Sequence, residues 1–162
     1  MSNMAETPFT VRGRLYNSAE HAYQSIKLVA LGRFILARQV RQAPTPRDAK
    51  RIAGRITQAE KRHWKLNQRK HLAIMLEILK EKYDQVEAFR TELSSHVDDH
   101  FLEETYDRYW GIGIKRPQAD QVNLRQLPGG NWMGKLLMLT ARHKAGQTGL
   151  RLVTLYWYDD LN

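Results

Sequence analysis

Cysteine is absent from all 162 residues, which excludes disulfides, thiolate metal sites and a cysteine nucleophile. Long apolar runs are absent too. No stretch approaches the roughly 18 to 20 residues that span a bilayer, so no membrane partner is expected. The opening MSNMAETPF has neither the basic start nor the apolar core of a secretion signal. A cytoplasmic protein of one domain is therefore expected, long enough to bury its own core. Repeats, low-complexity tracts and interdomain linkers are also missing.

Acids are scarce in one region. The net charge is +9, and residues 1–95 hold 18 Lys/Arg against 9 Asp/Glu, whereas 96–162 hold 8 of each. The densest stretch is 27–70, where 13 basic residues face only Asp48 and Glu60. Such a field favours anions: nucleotides, other phosphorylated ligands, or nucleic acid. Neither a metal nor a cofactor is expected. The histidines suggest no ligand set, and GIG at 111–113 lacks the third glycine and the strand-then-helix context of a dinucleotide loop.

What is present reads as a mainly helical chain with a small sheet. FTVRGRLY (9–16) alternates around Gly13 and suits a strand or hairpin arm. Ser18 as N-cap and Gly32 as stop predict a helix over 19–31. Thr45-Pro46-Arg47-Asp48 opens a short helix that ends near Gly54. Thr57 to Glu60 is a capping box, and apolar residues from Trp64 to Val86 recur at helical spacing. That predicts one long helix over 58–83, followed by a short one over 85–94. Residues 100–131 show little periodicity and read as a functional loop. Asn131 is placed as the cap of a last helix that stops at Gly146, and LRLVTLYWY (150–158) reads as a strand.

In the first helix, Ala19, Ala22, Tyr23, Ile26 and Ala30 form one stripe and predict the buried face. Glu20 and Lys27, seven apart, point only about 20° from each other at its margin, roughly 10 Å apart along the axis. That gap suits a ligand between the two heads better than an ion pair, which wants a spacing of three or four. The plainer reading is a rim carboxylate and a snorkelling lysine. In the loop, Glu103, Glu104, Asp107, Tyr109 and Trp110 combine acids with aromatics. There a ring could orient a substrate while a carboxylate handles a proton or developing positive charge.

Several motifs in order resemble the NADAR family, the YbiA-like N-glycosidases. PFTVRGRLYNSAEHAYQSIK is similar to its opening: a strand, a glycine, then S-x-E-H and a lysine seven after the glutamate. Ala49-Lys50, Gly54-Arg55, Trp64, Met75 and Lys82-Tyr83 follow. FLEETYDRYWGIG is similar to an acid-Thr-x-x-Asp-x-x-Trp-Gly-x-Gly stretch, with one residue fewer between Thr105 and Asp107, and GGNWMGKLLM matches Asn-x-x-Gly-x-x-Leu-Met. The resemblance spans about 7–142. It implies a hydrolase of N-glycosidic bonds, acting on ribosylamino-pyrimidine phosphates of riboflavin biosynthesis or on ADP-ribose attached to guanine in nucleic acid.

By this resemblance Glu20, Lys27, Glu104, Asp107, Trp110 and Asn131 would line the site, with Tyr23 and Gly111 beside them. Glu20 would stabilise the charged sugar or activate water, while Asp107 or Glu104 would handle the leaving-group proton. Trp110 would stack on base or sugar. Lys27 would bind a phosphate or carboxylate, or attack an opened sugar as a Schiff-base nucleophile. The chain lacks the family's usual first strand, whereas TLYWYDDLN looks like that strand and its turn. A circular permutation, or an independent extension, would account for this. The contrasting function is a non-catalytic binder that sequesters an ADP-ribose-like nucleotide or interacts through its basic face.

Overall fold

The computed structural model describes residues 4–115 and 127–146. Among them are seven helices and one two-stranded antiparallel sheet, so the fold is mainly helical with a small sheet. The chain divides into two compact units at Glu92–Leu93. The strand predicted over 150–158, and with it the permutation, lies outside the described residues.

The first unit opens with β1 (Phe9–Val11) and β2 (Arg14–Tyr16), paired Phe9 to Tyr16 and Val11 to Arg14. Arg12 and Gly13 both have positive φ, 51° and 71°. That is the left-handed pair a two-residue hairpin loop demands, which is why glycine sits there. Phe9, Val11 and Tyr16 are buried while Leu15 is exposed, as a period of two requires.

Two clasps tie the hairpin to α5 (Gln68–Gln85). Arg12 makes a two-pronged pair with Glu77, at 2.8 and 2.6 Å. The Gln85 amide donates to Thr10 O and accepts from Thr10 N, both at 2.7 Å, and so occupies the outer edge of β1.

Helix α1 (Ala19–Ala30) is the centre of this unit and packs against α2 (Phe34–Arg41), α3 (Pro46–Ala53), α5 and β2. Ser18 caps it, accepting from His21 N. The predicted stripe is buried except for Ala30, which is exposed. Because three helices surround α1, Glu20, His21, Gln24, Ser25 and Leu28 are buried as well. Leu28 joins Ala37, Val40, Ala43, Ala49, Ala53 and Ile56 in one core cluster.

Helix α2 has no counterpart among the elements predicted from the sequence, because its N-cap, Arg33, makes no side-chain cap bond. Packing of Ala37 and Val40 holds it instead. The long predicted helix is two: α4 (Gln58–Leu66) and α5, parted at Asn67. Two side chains take carbonyls from the last turn of α4. Asn67 Nδ2 donates to His63 O at 2.9 Å, and the His71 ring meets Trp64 O at 2.5 Å. With those acceptors engaged by side chains, the backbone ladder breaks.

Helix α6 (Glu87–Ser95) follows, and α7 (Trp132–Lys144) belongs to the second unit. Among the described residues no helix is long and apolar enough to cross a membrane.

Candidate active site

The S-x-E-H motif divides its work between framework and site. His21 is fully buried. Its Nε2 meets Ala43 O at 3.1 Å and its Nδ1 meets Ser18 Oγ at 2.8 Å. A carbonyl only accepts, so Nε2 carries the proton. The imidazole thus pins the start of α1 to the segment after α2. Glu20, one residue earlier, is buried at 7 % exposure.

The space between Glu20 and Lys27 is bridged by the protein itself. Gln24 Nε2 donates to Glu20 Oε1 at 2.8 Å, and Lys27 Nζ donates to Gln24 Oε1 at 3.4 Å. Carboxylate, amide and ammonium form one line along α1. Gln24 was legible in principle, since it stands four after the glutamate and three before the lysine.

Burial lowers the pKa of Lys27. The Glu20 carboxylate opposes that shift, while Lys61 and Lys50 add to it. Ammonium groups on α3 and α4 therefore add to the positive field at Lys27 on α1. An aromatic floor lies within reach of the same charge. Trp64 and His71 stack with centroids 4.4 Å apart. Tyr23, buried on α1, accepts the Trp64 indole N–H at 3.3 Å. The pKa of His71 is lowered chiefly by burial, against its bond to Trp64 O, and further by Lys27.

The second unit is a backbone knot. Asn131 is in the left-handed region (φ 48°) and does not cap α7 with its side chain, contrary to expectation. Its amide turns back instead, accepting from Glu103 N at 3.0 Å and donating to Phe101 O at 2.8 Å. The first N–H groups of α7 find loop carbonyls: Trp132 N donates to Tyr109 O and Met133 N to Trp110 O. These bonds satisfy donors that a helix start leaves orphaned.

Asp107 Oδ1 accepts from Tyr109 N at 2.9 Å and Trp110 N at 3.0 Å, closing the turn that presents Trp110. Trp110 meets Tyr109 edge-on at 5.0 Å, and Tyr109 lies 6.4 Å from Trp132. Gly111 is a packing necessity, because a Cβ there would collide with the Thr105 side chain and come within 2.5 Å of Glu103 O. Glu104 is half-buried. The pKa of Glu103 is raised, mainly by burial and also by the charges of Asp107 and Glu104.

The predicted residues therefore fall into two groups, each within its own unit: Glu20, Tyr23 and Lys27 on α1, and Glu104, Asp107, Trp110, Gly111 and Asn131 in the knot. Contrary to the expectation that the histidines hold no metal spacing, His96 and His100 stand four apart, and His96 bonds Asp99 at 2.6 Å. Among the described residues no group of three or more acids and histidines could hold a metal ion.

The first unit is thus a helical framework carrying a buried acid and a cation cluster, and the second carries a tryptophan-bearing loop. The chain belongs to the NADAR family, whose domain matches residues 1–144 and so runs through both units. Among solved structures it is similar in fold to the E. coli protein YbiA, determined by NMR. The TM-score is 0.65 at 22% identity, covering 93% of this chain and 82% of that one. No curated protein matches.

Proposed function

We propose that this chain hydrolyses the N-glycosidic bond of a phosphorylated ribosyl substrate. The observation that carries the reading is the line along α1: a buried carboxylate tied through Gln24 to a half-buried ammonium that shares its field with Lys50 and Lys61. In the reaction the bond from the anomeric carbon to nitrogen breaks, and its electron pair leaves with the base or amine. Positive charge builds on the sugar ring at that moment. Glu20 stabilises this charge, or takes a proton from the water that attacks the same carbon. The leaving nitrogen gains a proton, a role that chemistry suggests for Asp107 or Glu104, with Trp110 as stacking partner. Lys27, Lys50 and Lys61 hold the phosphate.

A lowered pKa also suits Lys27 to nucleophilic attack on an opened sugar. Borohydride reduction during turnover separates the two roles: a trapped adduct at Lys27 marks the nucleophile, and its absence leaves the anion ligand. Two substrates share the bond and the phosphate, ADP-ribosyl guanine of nucleic acid and the ribosylamino-pyrimidine phosphate. Both are incubated with the protein. Release of the sugar phosphate from either one, lost in Glu20→Gln, is the expected result. Tight binding without release would make the chain a sequestering protein instead.

A further inference from the structure

The outward faces of α2 and α3 carry a pattern of which the hydrolytic reading uses only Lys50. At 100° per residue, Phe34, Arg38 and Arg41 on α2 fall within about 60° of one another, with Ile35 next to them. Ala37 and Val40, centred about 100° away around the helix, are buried. Phe34 is 67% exposed and Ile35 77%, although both are large and apolar. On α3, which packs against α2, Arg47, Lys50 and Arg51 are exposed while Ala49 and Ala53 are buried; Arg55, just past its end, is exposed as well.

This field lacks neutralising acid. The only carboxylates in 27–70 are Asp48 and Glu60, and both are engaged. Asp48 bonds Thr45 and Arg51. Glu60 closes its capping box and pairs with Arg33, which holds its pKa down at about 2. Arg38, Arg47, Lys50 and Arg55 are exposed and Arg41 is half-buried, with no ion pair to a carboxylate among the described residues. Lys50 also contributes to the field on Lys27, so the cation track reaches the acid-bearing helix.

We infer that the outer face of α2 and α3 is a docking track for single-stranded nucleic acid. The arginines and Lys50 take successive phosphates, and Phe34 offers a flat platform for an unstacked base. Cations interleaved with an exposed ring suit a single strand, whose phosphates and free bases repeat together, better than duplex, whose bases are not free. The inference stands whether or not Glu20 is catalytic.

The test is fluorescence anisotropy with a labelled strand of about twelve unmodified nucleotides, titrated over a range of salt from about 50 mM. Binding stronger than to the same sequence as duplex is expected. Phe34→Ala should weaken it by about tenfold or more without changing the salt slope. Arg38→Ala with Arg41→Ala should flatten the slope by about 1.4, the loss of two phosphate contacts. Glu20→Gln should bind like the parent, which separates docking from hydrolysis. Phe34 and Arg38 are exposed and Arg41 is half-buried, so the melting temperatures of those variants should stay with the parent. No binding at the lowest salt would overturn the inference. So would equal affinity for duplex or heparin together with an unaffected Phe34→Ala.

Discussion

Glu20 in the first unit and Asp107 in the second are both acidic candidates, but they are held by opposite means. Glu20 is buried, and its oxygen bonds a side chain, Gln24, which in turn bonds Lys27. Asp107 is exposed, and its oxygen bonds two backbone N–H groups of the turn it closes. A carboxylate anchored by side chains is free to exchange partners when a ligand enters. One that closes a turn is tied to the shape of the loop. The contrast teaches that an acid's position in a motif does not by itself separate chemistry from architecture; its bonding partners do.

The sharpest way to break this comparison is Glu20→Gln. It preserves volume and leaves Gln24 a partner, yet kcat on the cleaved substrate should fall by roughly 10²- to 10⁴-fold. A rate within a few-fold of the parent would remove Glu20 from the chemistry.

Gly111→Ala attacks the architecture of the other unit. Its methyl must displace Thr105 or the 103 carbonyl, so unfolding free energy should drop by about 1–3 kcal/mol, read from urea denaturation.

The units also bury charges of opposite sign. Lys82 on α5 is 3 % exposed, and its Nζ lies 4.8 Å from the centre of the Phe89 ring. Burial pushes its pKa down to about 8 from an ordinary 10.5. The folded state thus holds this proton less tightly than the unfolded chain, and stability rises as pH climbs from about 8 to 10.5. Lys82→Met should add about 1–3 kcal/mol at pH 7 and abolish that rise. Glu103 has the reverse sign. Its raised pKa makes stability fall as pH climbs through it, and Glu103→Gln should remove the fall.

The smallest expected effect sharpens the role of Asp107. Asp107→Ala should cost about 0.5–2 kcal/mol, as the loss of a cap does, and Asp107→Asn, which keeps the accepting oxygen, almost nothing. If the asparagine variant keeps its melting temperature and loses turnover, the carboxylate handles protons as well as closing the turn.

Much of this was legible where local chemistry decides. Ser18, Thr45 and Thr57 each cap the helix they predict, whereas the single strand or hairpin arm expected over 9–16 is two strands, folded back at Arg12-Gly13 where both residues take positive φ. The break at Asn67 was hidden because Trp64 and the apolar residues after it keep a helical period on both sides; only the bonds of Asn67 and His71 to carbonyls reveal it. Helix α2 carries no start signal and depends on partners distant in sequence. In the site, the helical geometry of Glu20 and Lys27 was readable from their spacing. Lys61 was readable only as charge, because its place beside Lys27 depends on how α4 packs. Asn131 occupies a cap position, but its left-handed backbone sends the amide elsewhere.

The Gln85 amide on the outer rim of β1 has a consequence beyond fastening the hairpin. A two-stranded ribbon ordinarily leaves a row of bare peptide groups that another chain's extended segment can zip onto. Here one side chain imitates the missing neighbour at Thr10, offering both a donor and an acceptor. Self-association by strand addition is thereby discouraged at that edge without the backbone of a further strand.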